Sequence, residues 1–193
     1  MKKVLLSFVF VVAASAAFAQ LSGGIRLGMN LANQKAEALG VSVSADSKVG
    51  LLGGLYLTAN LSDKIAVQPE LLYSSMGSKS GDISDAFGYL HIPILLRYNI
   101  NENFNLHAGP QIGLLLSAKS DGQDIKDQFK GTDFGASLGA GVDFGKFNGG
   151  LRYYLGLSNI SDIDTQGIPG LGDISFKNTS FQIYLGYKLF GGE

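Results

Sequence analysis

The chain has 193 residues, of which 46% are hydrophobic, 16% are charged and 27 are glycine, with a formal net charge of −1. Charge lies below the roughly 25% of an average soluble protein and glycine is at about twice its usual share. Such a composition excludes intrinsic disorder, and the near-neutral balance gives no reason to expect a nucleic-acid partner. The absence of cysteine excludes disulfides, thiolate metal sites, cysteine nucleophiles and an acylated N-terminal cysteine.

Met1 is followed by Lys2 and Lys3, and Val4 to Phe18 is apolar except for Ser7 and Ser15. Ala17-Phe18-Ala19 then has the small-x-small form that signal peptidase reads. The sequence therefore predicts a signal peptide over 1–19, cleavage before Gln20, and a single domain over 20–193. The apolar run is shorter than the ~20 residues of a spanning helix, and no helix-sized apolar run follows it. Loss of Lys2 and Lys3 takes the formal charge from −1 to −3.

The rest reads as strands, at about 22–31, 48–60, 65–77, 88–99, 104–118, 132–145, 149–158 and 179–190. In the sixth, Phe134, Ala136, Leu138, Ala140, Val142 and Phe144 alternate with Asp133, Gly135, Ser137, Gly139, Gly141 and Asp143. Period-two alternation marks a strand with one apolar face. Long connections at 32–47, 78–87, 119–131 and 159–178 alternate with short ones at Leu61–Lys64, Ile100–Asn103 and Lys146–Asn148. That is the pattern of an outer-membrane barrel, with both termini on the short-turn, periplasmic side.

The apolar parity is assigned to lipid and the other to the lumen. The polar parity is rich in glycine (Gly28, Gly54, Gly109, Gly139) and carries Arg26, Arg97, Arg152 and Glu70 inside strands. Aromatic residues of the apolar parity, Tyr73, Tyr98, Phe104, Phe134, Phe144, Phe181 and Tyr187, fall near strand ends, as in interfacial girdles. Pro69, Pro93 and Pro110 also fall inside strands. Proline cannot donate to a ladder and a closed barrel has no edge to absorb it, so bulges or ladder gaps are expected there.

Arg26, Arg97 and Arg152 lie towards the short-turn end of their strands, at a depth similar to Glu70, Asp143 and Lys188. These six residues are the candidate site: a charged layer filling the lower lumen, with Glu70 bridging two or more arginines and reaching Arg97 on the neighbouring strand. An eight-stranded barrel is just wide enough for side chains to fill it.

Little else suggests chemistry. His91 and His107 share the polar parity, but a general base needs a hydroxyl and an orienting carboxylate, and Ser117 and Ser137 form no motif with them. The expectation is lumen hydrogen bonding, no enzyme activity and no cofactor. Asp121, Asp124 and Asp127 stand three apart in a long connection; oxygen ligands suit calcium, but the order is not that of an EF-hand, and a solvated acidic loop is expected. Gly139-Ala140-Gly141 lies mid-strand with no helix after it, so it is no phosphate loop. Ile168-Pro169-Gly170-Leu171-Gly172 reads as an apolar loop tip.

Several segments carry a resemblance. They are Gly24-Ile25-Arg26-Leu27-Gly28-Met29-Asn30-Leu31, Gln68-Pro69-Glu70-Leu71-Leu72-Tyr73-Ser74, Ile92-Pro93-Ile94-Leu95-Leu96-Arg97-Tyr98, Ala108-Gly109-Pro110-Gln111 and Arg152-Tyr153-Tyr154-Leu155-Gly156-Leu157-Ser158-Asn159-Ile160. In order and spacing they resemble the outer-membrane protein beta-barrel domain family, the PorT-like "porin family" of Bacteroidota, over about 21–190. The resemblance implies an eight-stranded outer-membrane barrel, prolines at matching strand positions, and no enzyme activity. Such barrels often end on an aromatic residue, whereas here Phe190 is followed by Gly191-Gly192-Glu193.

The sequence thus predicts an all-β, antiparallel, up-and-down transmembrane barrel of eight strands, located in the outer membrane. Its expected partners are outer-membrane lipid and the assembly machinery, and its expected role is structural or surface-interacting through long extracellular loops. The alternatives are a narrow pore or small-solute transporter, a soluble lipocalin-like barrel, and a barrel-embedded hydrolase.

Overall fold

The computed structural model describes residues 21–38, 41–44, 46–80, 83–161 and 175–191. The predicted signal peptide and the Ile168–Gly172 loop tip lie outside the described residues. Eight strands build the barrel: β1 (Leu21–Ala38), β2 (Asp46–Asn60), β3 (Ile65–Met76), β4 (Ile83–Asn99), β5 (Phe104–Ser120), β6 (Thr132–Phe144), β7 (Phe147–Gly156) and β8 (Ser175–Phe190). Each pairs antiparallel with its neighbours in sequence. β8 pairs back onto β1 from Gly23↔Phe190 to Glu37↔Ser175, which closes the sheet and removes its edges.

The register gives the strands their tilt. From Arg26 it runs one way through Gly54, Leu72, His91 and Gly113 to Asp133. The other way it runs through Gly186 and Asn148 to Asp143 on the same strand, β6. The offset between Asp133 and Asp143 is the stagger that a closed barrel of tilted strands requires.

All eight predicted segments are strands, but several run further into the long connections. β1 continues to Ala38, β4 begins at Ile83 and β8 at Ser175. Hydropathy alternation stops where the lipid-facing belt stops, whereas ladder hydrogen bonding continues between polar residues beyond it. Short pieces at Val41–Ser44, Ser78–Ser80 and Gln123–Asp124 pair along these extensions. At the opposite end the β6–β7 turn is tighter than expected. Phe144 pairs with Phe147 and only Gly145–Lys146 intervene. Gly145 has φ 56°, the left-handed backbone that a two-residue hairpin needs and that glycine adopts without steric cost.

The outward face is apolar. Leu138 and Leu185 are 65% and 73% exposed, and every aromatic residue expected at an interfacial girdle faces out. An exposed apolar surface on this scale is a membrane-facing surface. Each strand proline sits at a ladder gap. The β2–β3 ladder skips the position of Pro69, β3–β4 that of Pro93, and β4–β5 that of Pro110. The missing N–H therefore interrupts one ladder at a time, and the barrel stays closed.

Candidate functional site

Inward-facing side chains fill the lumen in layers. The lower layer is built on Glu70 of β3. Its Oε1 accepts from Arg26 Nη1 of β1. Arg152, on β7, grips it as a two-pronged fork, with Nη1 on Oε2 at 2.8 Å and Nη2 on Oε1 at 2.8 Å. Gln68 Nε2 adds a bond to Oε1 at 2.6 Å. Glu70, Arg26 and Arg152 are 3%, 2% and 1% exposed. One carboxylate thus faces two guanidinium groups. Aromatic faces supply further negative potential, because the Tyr184 ring centroid lies 4.0 Å from the Arg26 guanidinium and 5.2 Å from that of Arg152. Tyr56 flanks Arg26 at 4.8 Å. Strands far apart in sequence are needed for this layer, since β1, β3 and β7 meet only because the barrel closes.

Arg97 does not join this layer, contrary to the expectation that it would meet Glu70. In the β3–β4 register Arg97 stands opposite Ala66 and Leu95 opposite Gln68, so Glu70 lies a further step up the strand. Arg97 instead binds Asp143 Oδ2 and gives Nε–H to Asn99 at 2.8 Å. Asp143 also accepts from Asn105 Nδ2 at 3.1 Å. This pair is partly exposed and borders an open vestibule of about 310 Å³ at the short-turn end, which Lys188 and Glu102 also line. Lys188 enters no ion pair among the described residues. The six candidate residues therefore divide into a buried triad, a pair at the mouth and a lone lysine.

Neither histidine meets a serine. His107 Nδ1 is 3.2 Å from Asn105 Oδ1, and its Nε2 is 3.5 Å from Arg152 Nε. Gly139 makes room for it, since a Cβ there would lie 2.5 Å from His107 Nε2. His91 stacks on Tyr89 at 5.3 Å. Ser137 gives its hydroxyl to Gln111 Oε1 at 2.7 Å instead. Asp121, Asp124 and Asp127 are exposed, and Asp124 Oδ1 accepts from the Lys126 N–H at 2.9 Å. Among the described residues no group of His, Asp and Glu is placed to hold a metal ion.

The upper lumen holds a feature that the sequence reading missed. Ala32, Met76, Phe87, Tyr89, Leu115, Ala118 and Tyr154 form a buried apolar cluster inside the barrel. Ile125 and Phe129, from the connection between β5 and β6, fold over it. Phe129 meets Phe87 edge to face at 4.9 Å. The connection is tied down by Ile125 N–H to Ala118 O at 3.0 Å and Lys130 N–H to Ile160 O at 2.8 Å. The signal was parity: Phe87 and Tyr89 share that of His91, and Tyr154 that of Arg152. Beside this lid, buried Asp133 accepts from Asn178 Nδ2 at 2.9 Å and Ser158 Oγ at 3.1 Å.

The barrel is similar to solved outer-membrane barrels. With the attachment invasion locus protein Ail of Yersinia pestis, solved with the heparin analogue sucrose octasulfate, it shares 18% identity and a TM-score of 0.52. The match covers 88% of this chain and 99% of Ail. For Neisserial surface protein A the values are 11% and 0.51, covering 87% of this chain and 99% of the other. A search of curated proteins finds no match. The family model for the outer membrane protein beta-barrel domain matches residues 18–162, without singling out PorT-like members. A closed barrel with an apolar outside and a polar inside, matched over most of its length by that model, belongs to the outer membrane protein beta-barrel domain family and resides in the outer membrane.

Proposed function

We propose that this protein is a closed outer-membrane scaffold that acts at the cell surface through its long connections, and is neither a channel nor an enzyme. The observation that carries this reading is the Arg26–Glu70–Arg152 triad, which reaches across the lumen from opposite walls and is shut off from solvent. A buried ion pair is costly to open, because separating it strands charges in a low-dielectric interior. The histidines add no catalytic arrangement, since their neighbours are Asn105, Arg152 and Tyr89. Of the similar barrels reported above, one is named an attachment invasion locus protein and the other a surface protein, in keeping with this reading. The open vestibule favours a second reading, a narrow pore for small solutes, which requires the triad to part.

In the proposed orientation the long connections are extracellular and the short turns periplasmic. The chain has no native cysteine, so single-cysteine variants report position cleanly. Asp127→Cys should react with a membrane-impermeant maleimide on intact cells, and Asp63→Cys only after the outer membrane is opened. The reverse pattern would put the long connections inside and remove the surface role.

A further inference from the structure

We infer that the vestibule at the short-turn end binds a small oxyanion, a carboxylate or phosphate carried on a small molecule, between Arg97 of β4 and Lys188 of β8. The inference is independent of the surface role, since it concerns the opposite mouth of the barrel.

The two cations stand four strands apart, on opposite walls. The layer above shows what that relation does. Glu70 of β3 and Arg152 of β7 are also four strands apart, and they meet at 2.8 Å. An eight-stranded barrel is narrow enough for side chains from facing walls to touch. Lys188 pairs with Gly24 of β1, and Arg26 with Gly186 of β8, so Lys188 lies one inward step below the triad. There both facing residues are cations, and the anion that joins the layer above has no counterpart between them.

Neither cation is fully engaged by the protein. Arg97 spends Nε on Asn99 and Nη2 on Asp143, and its Nη1 makes no hydrogen bond among the described residues. Lys188 is half-buried and forms no ion pair among them. Its register partner Gly24 has no side chain to offer. Asn148, the inward residue beside it on β7, is committed at both ends, with Oδ1 accepting from Arg26 at 3.2 Å and Nδ2 donating to Tyr56 Oη at 2.7 Å.

The charge balance favours an anion. The triad above the vestibule carries one net positive charge, because Glu70 faces two guanidinium groups. Of the two acids lining the vestibule, Asp143 is occupied by Arg97 and by Asn105 Nδ2, and Glu102 stands exposed in the β4–β5 turn. A concave site with low-dielectric walls concentrates that excess. An oxyanion accepts from Arg97 Nη1 with one oxygen and from Lys188 Nζ with another, two charge-assisted bonds. The volume of about 310 Å³ is roughly ten times a water molecule's share of the liquid, which admits a small organic acid or phosphate and no folded partner. Asn148, Tyr56 and the triad roof the site, so it is a blind pocket.

The test is an NMR titration of isotope-labelled protein in nanodiscs of zwitterionic lipid. Inorganic phosphate is the probe in one arm and acetate in the other, with sodium chloride at matched ionic strength as the reference. Saturable shifts are expected at Arg97 Nε and at the amides of Gly24, Asn148 and Lys188, with none at Tyr154 in the upper lumen. The arm that saturates at lower concentration identifies the group recognised. Lys188→Met should weaken binding about tenfold, the worth of one hydrogen bond to a charged group, and Lys188→Arg should restore it. Shifts that grow linearly and equally with sodium chloride would reduce the effect to screening and overturn the proposal. Saturation that survives Lys188→Met would put the anion elsewhere and also overturn it, as would equal shifts at Tyr154, which mean passage rather than a blind pocket.

Discussion

The two ends of the lumen are filled by opposite physics. The lower layer is ionic: Glu70 between Arg26 and Arg152, backed by the faces of Tyr184 and Tyr56. The upper closure is apolar, with Phe129 and Ile125 folded onto Phe87, Met76 and Leu115. The ionic layer is contributed by strands and is fixed by register. The lid comes from a connection, and its ties are a few backbone hydrogen bonds. Burying charges gains little net stability, because desolvation offsets attraction, yet losing one partner is severe. Burying rings contributes in proportion to area and degrades gradually. The lower layer is therefore expected to fail abruptly when one charge is lost, and the upper one by degrees.

The largest effect should come from breaking the lock. Glu70→Ala leaves two buried guanidinium groups uncompensated and should lower stability by about 3–5 kcal/mol, read as the urea midpoint in detergent micelles. Replacing all three charges, as in Glu70→Met with Arg26→Met and Arg152→Met, should recover much of that loss. If Glu70→Ala cost as little as a surface change, the ionic closure would carry no weight.

Next comes the premise that both closures lie inside. Leu138→Arg puts a charge on lipid and should cost about 2–4 kcal/mol near the midplane, whereas Ser137→Arg enters the lumen and fails, if at all, by crowding. A tolerated Leu138→Arg would invert the faces. Phe129→Ala should open the lid for roughly 1–3 kcal/mol, less than the 3–5 of a fully buried ring, and should speed proteolysis of the 121–131 connection without disturbing the triad. The smallest effect belongs to the mouth. Asp143→Asn removes a partly exposed pair and should cost under about 1 kcal/mol, an effect that added salt should shrink further.

The fold was legible because strands facing lipid must alternate with period two, and the alternation in 132–145 is nearly unbroken. The prolines were legible too, since a missing donor has to appear as a ladder gap. The site was legible by residue type only. Glu70 among arginines could be anticipated from depth, but its partners depend on register summed round the whole barrel, which brings Arg152 of β7 to it and leaves Arg97 below. The lid was not legible, because Ile125 and Phe129 sit in a connection with no periodicity. Its inward ends, Phe87, Tyr89 and Tyr154, are large residues on a parity otherwise read as polar.

Single-channel recording in planar bilayers tests the closed lumen most directly. Wild-type protein should show no steady conductance at either polarity, because the proposed scaffold is closed by its ionic layer, and Phe129→Ala alone should stay silent since the Arg26–Glu70–Arg152 layer remains. A stable, reproducible open channel in the wild type would contradict the account and establish the pore.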